Sequence, residues 1–213
     1  MRLITLALVT LLPLAVAAQD IDKVNGNASV APGERAGDVH SVNGSVHVGD
    51  GAIVQTAGTV NGSVDLGANA QASSLHTVNG AISLARSSRV GGGVKSVNGD
   101  ISLDPSADVA GGVSNVNGTI SLDHAHIADG IETANGNITV GEGSRVEGGI
   151  VVDEVNPHGR NWPNRPPHIV IGPHAIVTGT LDFRREVRLD VSDTAQIGPV
   201  KGATVNTFHG ASP

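Results

Sequence analysis

One tripeptide recurs along this chain at Val24-Asn25-Gly26, Val42-Asn43-Gly44, Val60-Asn61-Gly62, Val78-Asn79-Gly80, Val97-Asn98-Gly99 and Val116-Asn117-Gly118. Each copy begins eighteen or nineteen residues after the last, and Ala134-Asn135-Gly136 is an altered seventh copy. A fixed period near twenty residues constrains folding more than any other feature here. One such repeat cannot bury its apolar side alone, so repeats must stack as the coils of a solenoid.

A finer period of six runs inside each repeat. Residues of inward type step through Val24, Val30, Ala36, Val42, Val48, Val54 and Val60, then Leu66, Ala72, Val78, Leu84 and Val90. The count slips by one at intervals through Val97, Leu103, Val109, Val116 and Leu122, and recovers at Ala134, Val140 and Val146. Three hexads per coil predict a triangular cross-section with three short strands. The pairs Ile82/Leu84, Ile101/Leu103 and Ile120/Leu122 alternate as strands with one buried face do. No helical period competes, and 29 glycines disfavour helix strongly. The expected fold class is all-β, a parallel β-helix of about nine coils and roughly 40 Å in length at the inter-strand spacing. Right-handed crossovers favour a right-handed coil.

The Asn-Gly pair is expected at a corner, where glycine supplies positive φ and asparagine tolerates it. Coils about 4.8 Å apart would place Asn25, Asn43, Asn61, Asn79, Asn98, Asn117 and Asn135 in one hydrogen-bonded column. Gly26, Gly44, Gly62, Gly80, Gly99, Gly118 and Gly136 form the accompanying column of turns. Both readings are structural and leave these residues no catalytic role.

Residues 1–18 read as a signal peptide: Met1-Arg2, an apolar run from Leu3 to Val16, and small residues up to Ala18. The mature chain is therefore expected in the periplasm or outside the cell, with no further membrane span. It has no cysteine, so repetition and hydrogen bonding replace disulfides. A formal charge of −7 argues against nucleic acid and anionic lipid as partners. Aromatic residues make up 1% of the chain, which leaves little for a sugar-stacking platform.

Residues 19–152 form the Val-Asn-Gly solenoid, and residues 153–168, with four prolines, read as a loop projecting from a corner. The loop holds Trp162 between Arg160 and Arg165, with His158 nearby, a set that could stack on a sugar or grip an acidic partner. Hexads resume over residues 169–197, and residues 198–213 form a tail that closes the last coil or hangs free. Arg184, Arg185 and Arg188 are expected on an outer face, available to the acidic surface of another copy. Asp123, His124 and His126 are the nearest approach to a metal set. They lack further ligands at fixed spacing, so no metal and no cofactor is expected.

Two resemblances follow from these motifs. Ile171-Gly172-Pro173-His174-Ala175-Ile176-Val177-Thr178-Gly179-Thr180-Leu181 resembles bactofilins, the polymer-forming bacterial β-solenoids. The Val-Asn-Gly-x-Ile-x-Leu coils resemble adhesin-type β-strand-repeat proteins of bacteria. These resemblances imply a non-enzymatic structural or surface-interaction protein that associates with itself or with a cell-envelope component. The hexad around His174 also looks like left-handed acyltransferase solenoids, which would imply a histidine base; no second group accompanies it. A carbohydrate- or envelope-binding role for the Trp162 loop is the other alternative.

Overall fold

The computed structural model describes residues 18–154 and 165–213. The fold is a parallel β-solenoid, with strands pairing parallel to their counterparts in the adjacent coils and no helix among the described residues. A ten-stranded sheet forms one face, from Ala28–Val30 through Ile101–Leu103 to Val205–Phe208. It counts ten coils rather than nine. The tail accounts for the difference: Val200–Lys201 pairs with Leu181–Phe183, and Val205–Phe208 pairs with Arg188–Ser192. No Asn-Gly marks that coil, and its end position leaves Val205 exposed, so nothing in the repeat pattern betrays it.

The other two faces share a sixteen-stranded sheet. The strands Ile53–Asn61 and Gln71–Asn79 run unbroken around the corner between them. Above these, the strand divides into Arg89–Val90 and Val94–Asn98, with Gly91-Gly92-Gly93 between. The longer corner accompanies the change from eighteen to nineteen residues per repeat.

Each face sends two side chains inward per coil. On the face after the Asn-Gly corner they are Ala28/Val30, Val46/Val48, Val64/Leu66, Ile82/Leu84, Ile101/Leu103, Ile120/Leu122 and Ile138/Val140, all buried. Stacked in register, these columns form one wall of the core, each large aliphatic side chain adding about 1.5–3 kcal/mol.

On the face before the corner the hexad reading is overturned. Val24, Val42, Val60, Val78, Val97 and Val116 point outward and are 37–69% exposed. Two residues before each asparagine, Ser41, Thr59, Thr77, Ser96, Asn115 and Thr133 are buried instead. Side chains alternate along a strand, so an inward hydroxyl forces the next residue out. The hydroxyl has a reason to be inside: Ser41, Thr59 and Thr77 donate to the carbonyls of Gly26, Gly44 and Gly62 at 2.9, 2.8 and 3.0 Å. These bonds tie each coil to the corner below and satisfy buried polar groups on both sides.

Candidate functional site

The Asn-Gly corner is the most regular feature of the surface. Six side-chain bonds run down its column, from Asn43 to Asn25 and so on up to Asn135 to Asn117, at 2.8–3.2 Å. In every one the upper Nδ2 donates to the lower Oδ1, so the amide dipoles align and add. The carbonyl end of such a column is electronegative. There Arg185 donates to Asn135 Oδ1 at 2.6 Å and to the Ala134 carbonyl at 3.2 Å. A cation thus closes the column at its negative end.

The glycines of this corner are required by stacking as much as by φ. Gly26 and Gly118 have φ of +98° and +115°, but Gly99 and Gly136 are not in the left-handed region. From Gly44 to Gly136, a Cβ on any of these glycines would collide with the carbonyl oxygen of the glycine one coil below. Gly26, with no coil beneath it, has open space there.

The outward valines line a shallow groove that follows the same face across successive coils. At one end it is bordered by Asp22, Val24, His40, Val42, Val60 and His76, and farther along by Val78, Lys95, Val97, Val116, Glu132 and Asp153. Glu132 shares a hydrogen bond with Asp153, and this bond with burial raises its carboxyl above the usual range. The groove was not legible in the sequence, because the valines that floor it fit an inward reading equally well.

Asn115 breaks the hydroxyl column. Its Oδ1 accepts from Thr133 at 2.6 Å, while its buried Nδ2 has no partner. An orphaned buried donor costs about 1–3 kcal/mol. Asn115→Thr should therefore raise the melting temperature by roughly 2–6 °C. A fall on thermal denaturation would mean that the amide is satisfied in solution.

The arginines expected to face another molecule are engaged within this one. Arg184 pairs with Asp153 at 2.5 Å and Asp182 at 3.1 Å, Arg188 with Asp190 at 2.7 Å, and Arg185 with the asparagine column. Three coils thus use these guanidinium groups to hold the strands that flank the inserted loop.

His124 and His126 do not share a strand face. His124 sits in a corner at φ +45° and bonds Asp123, whereas His126 lies on the strand His126–Ile127 and bonds Asp108 at 2.5 Å. His174 occupies the same corner column at φ +56°, together with Asn69, Ser87 and Ser106. Its backbone N–H donates to Thr194 Oγ1 at 3.1 Å, and no described group is bonded to its ring as a catalytic base would require. Of the loop set, Arg165 is exposed, whereas Trp162, Arg160 and His158 lie outside the described residues.

His168, where the chain returns from the loop, bonds Asp190 at 2.7 Å, and Asp190 is 4% exposed. Burial opposes its ionisation. The bond to His168, the charge of Arg188 and a bond to Asn206 together outweigh that cost and hold the carboxyl below its ordinary range. A depressed folded value stabilises the fold above the unfolded value of about 3.9. That stability is lost as pH falls through the folded value. The melting temperature should accordingly drop below about pH 4, and Asp190→Asn should flatten this part of the profile.

No helix among the described residues is long and apolar enough to cross a membrane. No family model, curated protein or solved structure matches the chain. The likeness to bactofilins and to adhesin-type repeats therefore rests on repeat grammar, and what the structure shows of it is the β-solenoid.

Proposed function

We propose that this chain is a non-enzymatic, exported β-solenoid that serves as a structural or surface-interaction element and assembles end to end. The observation that supports it is the state of the two ends. The strands Gln19–Asn25 and Ala28–Val30 each pair on one side only. At the opposite end Gln196–Ile197, Val200–Lys201 and Val205–Phe208 do the same. No helix among the described residues covers either edge. An unpaired edge accepts another strand, and a top that fits a bottom is a heterologous contact that grows into a filament.

In this reading the partner is a second copy of the chain, and a cell-envelope component is the surface it decorates, in the periplasm or outside the cell. The bactofilin-like and adhesin-type parts come from the resemblance alone. The asparagine and glycine columns serve structure, and no residue is assigned to catalysis or to a cofactor.

Negative-stain electron microscopy over a concentration series tests this. Filaments one solenoid thick should lengthen with concentration, and Val205→Lys, which puts a charge on the terminal strand, should shorten them. Discrete rods of about 48 Å, ten coils at the strand spacing, at every concentration would overturn end-to-end assembly.

The Trp162 loop supports a second, separable reading as a carbohydrate- or envelope-binding module. Ile138 pairs directly with Ile169 and Val140 with Ile171, so the insertion leaves the coil stack intact around it. Deleting residues 156–166 should spare assembly and abolish retention on purified envelope material. Retention by the deletion variant would exclude the loop as the binding element.

A further inference from the structure

His40 and His76 lie on the grooved face, two coils apart, with Gly58 at the same position of the coil between them. The missing side chain there lets the imidazoles meet. Their ring centroids are 5.5 Å apart with planes inclined at 44°, and a Cβ on Gly58 would collide with the His76 ring.

The separation suits a shared ion. A metal–nitrogen bond of about 2.0–2.1 Å puts each ring centre roughly 3.2 Å from the metal, so two rings at the tetrahedral angle stand about 5.2 Å apart. The observed 5.5 Å is within a few tenths of that. Desolvation in the groove, and then the neighbouring His40, hold His76 below the ordinary histidine range, against the opposing pull of Asp38. A neutral imidazole is the form that binds metal. In register, Asp22 lies next to His40 and Lys95 next to His76, so carboxylates flank only the His40 side of the pair.

We propose that His40 and His76 bind a divalent transition-metal ion across Gly58. The spacing fits tetrahedral Zn²⁺ better than Cu²⁺ or Ni²⁺, which imidazole also binds but in square-planar or tetragonal geometry. Among the described residues no cluster of three or more His, Cys, Asp or Glu is placed to hold an ion. The remaining coordination positions therefore belong to water or to an exogenous ligand, which makes the site open. This inference does not depend on how the molecules assemble.

Titration of the purified full chain with Zn²⁺ alone by calorimetry, and with Co²⁺ alone by visible absorption, tests it. One ion per chain is expected, with the intense absorption bands of a tetrahedral Co²⁺ site. His40→Ala and His76→Ala should each weaken binding at least tenfold and lose those bands. Gly58→Val, which fills the gap, should weaken it as well. His47→Ala should change nothing, since that ring pairs with Asp65 at 2.8 Å elsewhere. Both mutated histidines face outward, so a circular-dichroism melt should show each variant folded. Absence of stoichiometric binding, or affinity within twofold of the parent in either histidine variant, would overturn the assignment.

Discussion

Replacing Ile101 with aspartate should unfold the centre of the rod. Ile101 is fully buried, stacked between Ile82 below and Ile120 above, so a carboxylate there would have water on no side. Loss of the large aliphatic group alone costs about 2–5 kcal/mol. Burial of an unpaired carboxyl adds a few more, with the group neutralising rather than staying charged. The sum of roughly 5 kcal/mol or more compares with a total stability of about 5–15 kcal/mol for an ordinary domain. Solenoid stability is approximately a sum of nearest-neighbour terms, so the break should be local: coils on either side would lose each other before they lose themselves. Ile101→Val, losing one methylene, should cost only about 1 kcal/mol. Thermal melts by circular dichroism compare the two, and an aspartate variant that melts with the parent would refute the inward placement.

Gly99→Ala should be nearly as damaging, for a different reason. The backbone there lies outside the left-handed region, so alanine has no torsional objection. The obstacle is the coil below, where the new Cβ would meet the carbonyl oxygen of Gly80. Relief requires lifting one coil from the next, an overpacking cost of roughly 3 kcal/mol. Lifting also stretches the bond from Asn98 to Asn79, now 3.0 Å, worth about 0.5–1.5 kcal/mol. Gly26→Ala is the informative contrast. Its φ is +98° but no atom lies near its Cβ position, so only the left-handed penalty of about 1–2 kcal/mol applies. Equal melting temperatures for the two variants would show that torsion, rather than stacking, selects glycine at this corner.

The groove gives these columns a consequence beyond stability. Because Ser41, Thr59 and Thr77 turn inward to reach the glycine carbonyls, Val42, Val60 and Val78 are forced onto the surface. The same alternation carries His40, Gly58 and His76 outward. A structural bond inside each coil thus fixes what the solenoid shows to its surroundings.

The period of the tripeptide was enough to establish a stack of coils, since parallel strands can pair indefinitely only if every coil repeats the same path. Alternation in Ile82/Leu84 and Ile101/Leu103 likewise identified one buried face, because both members of each pair are aliphatic and agree. The valines before each asparagine, read as inward from the period of six, were placed on the wrong side at that level. An apolar residue beside a small hydroxyl can face either way until the hydroxyl finds its acceptor, and that acceptor is a carbonyl in the neighbouring coil. The meeting of His40 with His76 was hidden for the same reason. Stacking, and the empty position at Gly58 between them, bring together residues two repeats apart. Repetition along the chain determined the architecture, whereas contacts between coils decided which side chains reach the surface and which of them meet.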